Sequence, residues 1–220
     1  MINMINYELY LVTDQFDLEE KDFLTVIEEA ILGGTSIVQL REKESSTLDF
    51  YNLARKCKKI TDKYNVPLII NDRIDVAMAV DAAGVHLGQS DMPCNIAREI
   101  MGPDKIIGIS THTYKQSLKA QKDGADYLGV GAIIPTPTKT DANIAVHEEL
   151  IKIRDNITIP TVAIGGINNS NIQKIINTYN FSGAAVVSAI MLSDNPREES
   201  LKLIKEMKKI EKECGMGVDG

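Results

Sequence analysis

One rhythm constrains this chain more than any other feature: short apolar runs alternate with amphipathic helical stripes eight times over. The runs fall at residues 7–13, 36–40, 67–70, 84–87, 105–110, 126–134, 160–164 and 183–187. They are near-continuously apolar, as strands buried on both faces must be, and a strand–helix alternation with such strands builds a parallel sheet. Eight units in one chain predict a closed (β/α)8 TIM barrel. An open doubly wound sheet competes, but it has about six strands and a Gly-x-Gly-x-x-Gly turn after the first. Here Val12-Thr13-Asp14 follows the first run, and Gly129-Val130-Gly131 lacks a third glycine.

The helices are predicted from their stripes. Asp17 and Glu20 stand at capping-box spacing before Phe23, Ile27, Ala30 and Ile31, and Gly33-Gly34 ends that helix. Others are expected at 47–64, 74–80, 93–101, 114–122, 146–154, 170–179 and 198–213, the last with Leu203, Met207 and Ile210 inward. With 44% hydrophobic residues and no break in composition, a single domain over 1–220 is expected, with 214–220 a frayed tail.

Charge narrows the partners. A net charge of -7 argues against nucleic acid or a membrane surface, so a few placed cations must carry any phosphate recognition. Met1 to Asn6 lacks the regions of a signal peptide, and no apolar run nears the ~20 residues of a membrane span, so a cytoplasmic location is expected. Cys57, Cys94 and Cys214 are odd in number and scattered, so no disulfide framework is read, and Cys57 falls on a helical packing stripe.

In a barrel of this kind the chemistry gathers where strands end. The second run ends in Gln39-Leu40-Arg41-Glu42-Lys43, whose alternation turns Gln39, Arg41 and Lys43 one way and Leu40 and Glu42 the other. A buried Gln39 needs a partner, which a ligand could supply; a salt-bridged strand terminus is the alternative. Asp72 after the third run and Asp91 after the fourth suit a hard divalent ion that keeps water and shares phosphate oxygens, magnesium, or else each caps a helix.

The sixth run empties into Pro135-Thr136-Pro137-Thr138-Lys139, which reads as an anion loop stiffened by two prolines or as a plain turn. Gly165-Gly166 and Val187-Ser188 end the last two runs, where such barrels often hold phosphate; an αL turn is the alternative for the glycines. Ser110 ends the fifth, and His112 just beyond it could reach the site. His86 reads as a hydrogen-bonded core residue and His147 as a solvated helix start, so no nucleophilic triad assembles. Anion sites without a base suit a reaction in which diphosphate leaves and a ready-made nucleophile attacks.

In these segments, together with Leu11-Val12-Thr13-Asp14, His86-Leu87-Gly88-Gln89-Ser90-Asp91 and Val187-Ser188-Ala189-Ile190, the chain resembles the thiamine-phosphate synthase family. The resemblance implies a transferase joining hydroxymethylpyrimidine diphosphate to a thiazole phosphate, with pyrophosphate released. By position it implies that Gln39, Leu40, Arg41, Glu42, Lys43, Asn71, Ser110 and Lys139 hold the pyrimidine diphosphate. Thr136, Pro137, Thr138, Gly166, Val187 and Ser188 would hold the thiazole phosphate, Asp72 and Asp91 magnesium, and Arg41, Lys43, Lys139 and Ser110 would be catalytic.

One departure is visible: Asp81-Ala82-Ala83-Gly84 lacks an aspartate directly before the glycine. Two alternatives stand beside the synthase, a thiazole tautomerase on the same barrel and a non-catalytic sensor of a phosphorylated metabolite. A homo-oligomer is compatible with either.

Overall fold

The computed structural model describes residues 5–16, 18–134 and 145–209, and in them eight parallel strands close into a barrel in chain order. They are β1 (Leu9–Val12), β2 (Ile37–Leu40), β3 (Leu68–Asn71), β4 (Gly84–Leu87), β5 (Ile106–Thr111), β6 (Tyr127–Val130), β7 (Thr161–Ile164) and β8 (Gly183–Val186). Around them run α1 (Glu20–Leu32), α2 (Thr47–Lys63), α3 (Ile74–Ala79), α4 (Cys94–Met101), α5 (Tyr114–Lys122), α6 (His147–Asn156), α7 (Ile172–Tyr179), α8 (Ser188–Met191) and α9 (Pro196–Met207). The expected barrel is the observed one. Leu9 facing Ala184 and Leu11 facing Val186 close the seam between β1 and β8.

The strands read as unbroken apolar runs because they serve two cores. Leu9 and Leu11 point outward to Phe23 and Ile27 on α1, while Tyr10 and Val12 point into the barrel with Ile37, Ile69, Tyr127 and Val162. Each large apolar side chain buried this way contributes roughly 1.5–3 kcal/mol over exposure. The same alternation on β2 sends Val38 and Leu40 outward and leaves Gln39, 4% exposed, inside.

Local chemistry explains the helix starts. Ser46 Oγ accepts from the Asp49 amide at 3.2 Å to open α2, and Thr113 and Gln116 form a reciprocal capping box on α5. Cys57 lies on the buried stripe of α2, where burial pushes its thiol far up, as packing rather than reactivity requires.

Two expectations need correction. α1 starts at Glu20 with Glu19 as its cap and no side-chain bond there, because the Leu18 amide turns back to the Gln15 carbonyl at 2.8 Å; Asp17 lies outside the described residues. β6 stops at Val130 instead of running to Ile134. Its continuation leaves the ladder, and the Ile133 and Ile134 amides donate to Ile164 and Gly165 carbonyls at 2.9 and 3.2 Å. The single turn of α8 was not foreseen, four residues being too few to show a period. The expected tail at 214–220 and the inward Ile210 lie outside the described residues.

Candidate active site

The barrel closes at one end over apolar side chains and opens at the other, where the strands finish, into a cavity of about 540 Å³. Thr13, Gln39, Arg41, Asn71, His86, Ser110 and His112 line one side, and Gly165, Gly166, Val187 and Ser188 the other. Strands β3 and β7 stand opposite in a ring of eight, so Asn71 and the two glycines face each other across the mouth.

Arg41 reaches the cavity in a held posture. Its Nη1 donates to Asp14 Oδ2 at 3.1 Å and its backbone amide to Thr13 Oγ1 at 3.1 Å. The ion pair is 26% and 29% exposed, so it adds at most about 1 kcal/mol to stability. Its larger effect is to orient a five-donor fork.

Beside the cavity, at the ends of β2, β3 and β4, three charged groups meet. Lys43 Nζ donates to Asp72 Oδ2, and the Asp72 carboxyl in turn contacts that of Asp91. Burial first, and the neighbouring Asp72 second, push the Asp91 carboxyl above its ordinary range. Neither aspartate caps a helix: the caps of α3 and α4 are Arg73 and Pro93, without side-chain bonds, and Asp91 Oδ2 instead accepts the Gly88 amide at 2.7 Å.

Two neighbouring carboxyls repel when both are ionised, and a shared proton or a cation relieves them; Lys43 ion-pairs with Asp72 and also favours the ionised Asp91. The donor set therefore fits a hard divalent ion. Among the described residues no third acidic, histidine or cysteine ligand joins them, which suits magnesium with water and phosphate oxygens completing its shell.

On the opposite edge Gly165 and Gly166 have φ of +96° and +67°, so the αL-turn reading is met. The turn is also crowded: a Cβ on Gly166 would sit 2.7 Å from Ile134 Cβ, and Asn171 Nδ2 ties the Gly166 carbonyl at 2.8 Å. Bare backbone thus faces the cavity beside Val187 and Ser188, which opens α8.

The cavity floor is polar in a way the sequence did not advertise. Gln39 Nε2 donates to Tyr10 Oη at 2.8 Å, Tyr10 and Tyr127 hydroxyls meet at 2.6 Å, Tyr127 Oη meets His86 Nδ1 at 2.8 Å, and His86 Nε2 meets Ser110 Oγ at 2.8 Å. So Gln39 has a protein partner already. His86 is the bonded, buried residue expected, yet it also lines the cavity. Tyr10 and Tyr127 passed as apolar residues, and Asp14 was given no role of its own; a buried phenol needing a partner was the available signal.

The remaining expected residues are distributed as follows. Asn71 and Ser110 line the cavity, as does His112, whose Nδ1 bonds the Gly131 carbonyl. The Leu40 side chain is fully buried in the outer core, so only its backbone can meet a ligand. Glu42 turns aside, its Oε2 accepting from Ser45 at 2.9 Å; burial raises its pKa. Thr136, Pro137, Thr138 and Lys139 lie outside the described residues. His147 is exposed at the start of α6, bonded to Tyr179 Oη at 2.9 Å.

Known proteins similar to this chain point to one family. Residues 9–190 match the family described as thiamine monophosphate synthase. The thiamine-phosphate synthase of Alkaliphilus oremlandii is 56% identical over 200 residues, covering 90% of this chain and 95% of that one. That of Methanobrevibacter smithii is 55% identical over 207 residues, covering 94% and 98%. Among solved structures, a thiamine phosphate pyrophosphorylase from Pyrococcus furiosus superposes with a TM-score of 0.84 at 38% identity, over 92% of this chain and 96% of that one.

Proposed function

The chain belongs to the thiamine monophosphate synthase family, and from that premise we propose that it joins hydroxymethylpyrimidine diphosphate to a thiazole phosphate, releasing pyrophosphate and thiamine phosphate. The observation that carries this reading is one cavity with Arg41 and Asn71 lining one edge, the Lys43–Asp72 ion pair beside them, and bare glycine backbone at the end of β7 lining the other edge. Each edge offers what one phosphorylated substrate needs.

The chemistry follows from the inventory. The bond between the pyrimidine methylene carbon and the diphosphate oxygen breaks, and its electron pair leaves with the diphosphate. The thiazole nitrogen then gives its lone pair to the methylene carbon, forming the new C–N bond. No proton has to be removed, so the reaction makes no demand on a general base.

Arg41, Lys43 and Lys139 neutralise charge that grows on the departing oxygens, where preorganised donors are worth most. Asp72 and Asp91 would hold magnesium, which supplies further charge neutralisation on the diphosphate. Gln39, Asn71 and Ser110 orient the pyrimidine. Thr136, Thr138, Gly166, Val187 and Ser188 take the thiazole phosphate. Among the described residues no helix is long and apolar enough to cross a membrane, in keeping with a cytoplasmic enzyme on dissolved substrates.

Purified protein given both substrates and magnesium is expected to release one pyrophosphate per thiamine phosphate, and a chelator is expected to stop it reversibly. Tight binding of both substrates with no product would move the reading to a sensor. Turnover of thiazole phosphate alone would move it to a tautomerase, which has no need of Asn71, Asp72, Asp91, Ser110 and Lys139.

Gly166→Ala tests the opposite edge. The added methyl meets Ile134 at a φ of +67°, a strain of roughly 1–3 kcal/mol. KM for the thiazole phosphate is expected to rise about tenfold or more, with that for the pyrimidine diphosphate little changed. An equal rise in both would deny Gly166 its assigned substrate.

A further inference from the structure

The chain of hydrogen bonds across the cavity floor has a direction. It crosses the barrel from Gln39 on β2 through Tyr10 on β1, Tyr127 on β6 and His86 on β4 to Ser110 on β5. The amide nitrogen at its start can only donate. Tyr10 Oη therefore accepts from Gln39 and has its own proton left for Tyr127 Oη. Tyr127 in turn has one proton, and it goes to His86 Nδ1. An imidazole accepting at Nδ1 carries its hydrogen at Nε2, which points at Ser110 Oγ. The serine hydroxyl, having accepted, keeps a proton for the cavity.

Two further observations support this order. Tyr10 and Tyr127 are each only 1% exposed, and burial holds both phenols protonated, so each has one hydrogen to pass along. Space is also cleared for the relay: a Cβ on Gly108 would lie 2.1 Å from Tyr127 Cζ, and one on Gly129 3.0 Å from His86 Cε1. Glycines at inward positions of β5 and β6 thus admit the two rings. A doubly protonated His86 would donate at both nitrogens and leave one phenolic proton in the chain without an acceptor.

We propose that Tyr10, Tyr127 and His86 are positioning residues that set the polarity of the substrate-recognising ends, leaving the Gln39 carbonyl as an acceptor and the Ser110 hydroxyl as a donor toward the cavity. An aminopyrimidine is the matching chemistry, since it offers an amino donor and ring-nitrogen acceptors. This rests on the function proposed above for the identity of the ring. The polarity itself does not.

The test has two arms. Long-range 1H–15N correlation spectra of labelled protein, with the three histidines assigned by single substitutions, are expected to show His86 as the neutral Nε2–H tautomer in the wild type. In Tyr127→Phe that tautomer preference is expected to weaken. The same variant is expected to lose about tenfold in kcat/KM for the pyrimidine diphosphate, with KM for the thiazole phosphate unchanged, the size expected when one buried donor–acceptor link is cut. Tyr10→Phe should behave alike if Tyr127→Phe folds poorly.

The spectrum needs no substrate, so it reads the relay even where turnover is missing, and absent turnover counts against the enzyme instead. An Nδ1–H or doubly protonated His86 in the wild type overturns the proposed polarity. So does an unchanged kcat/KM in both phenylalanine variants.

Discussion

Replacing Arg41 by alanine is expected to lower kcat/KM for the pyrimidine diphosphate by about 10²–10³, or roughly 2.7–4 kcal/mol, the loss typical of one preorganised donor to developing negative charge. The fall should lie mostly in kcat, because charge on the leaving oxygens is greatest as the carbon–oxygen bond breaks. Melting temperature should hardly move, since the ion pair lost among the described residues is the partly exposed one to Asp14. Arg41→Lys is expected to recover little, a point charge being a poor substitute for a planar fork. Asp14→Asn should cost less than Arg41→Ala, because it loosens the fork without removing it. Steady-state kinetics with each substrate varied in turn, beside thermal melts, check all three. A wild-type rate in Arg41→Ala would remove this residue from the leaving-group site.

How far such residues could be read in advance depends on whether their chemistry is local. The barrel was legible because apolar runs and helical stripes are short-range patterns that survive in one dimension, and β4 and α5 ended where the pattern put them. Gln39, Arg41, Asn71, Ser110 and Gly166 were legible for a related reason: a parallel barrel sends every strand end to one face, so position along a strand becomes position in space. The exceptions follow from bonds that cross the chain. Tyr10 meets Tyr127 across 117 residues, and Tyr127 meets His86 across 41, so nothing near either tyrosine marks it as polar. Leu40 and Glu42 came in with their segment, though the pleat turns their side chains away from the cavity. β6 ended early because Ile133 and Ile134 bond to the end of β7, a choice that apolar character alone does not reveal.

For Asp72 and Asp91 the sequence left two roles open, and the geometry gives them opposite signatures. As helix caps, either one changed to alanine would lose about 0.5–2 kcal/mol of stability, asparagine would cap nearly as well as aspartate, and neither change would touch the magnesium requirement. As a contacting pair of carboxyls, with Asp91 pushed up by burial and by its neighbour, they repel when both ionise. Asp91→Asn is therefore expected to hold or raise the melting temperature without metal, while the magnesium needed for half-maximal rate climbs about tenfold or more, roughly 1.4 kcal/mol per decade. Asp72→Asn should raise it as much but gain less stability, because it also gives up the Lys43 partner. Asparagine is the right replacement there, since Asp72 sits at φ +61° and Asn is among the few side chains that tolerate that region. Magnesium titrations of rate, paired with melts in chelator, separate the readings. If both variants melt lower in chelator and keep the wild-type magnesium dependence, the pair is structural and the diphosphate site loses its metal.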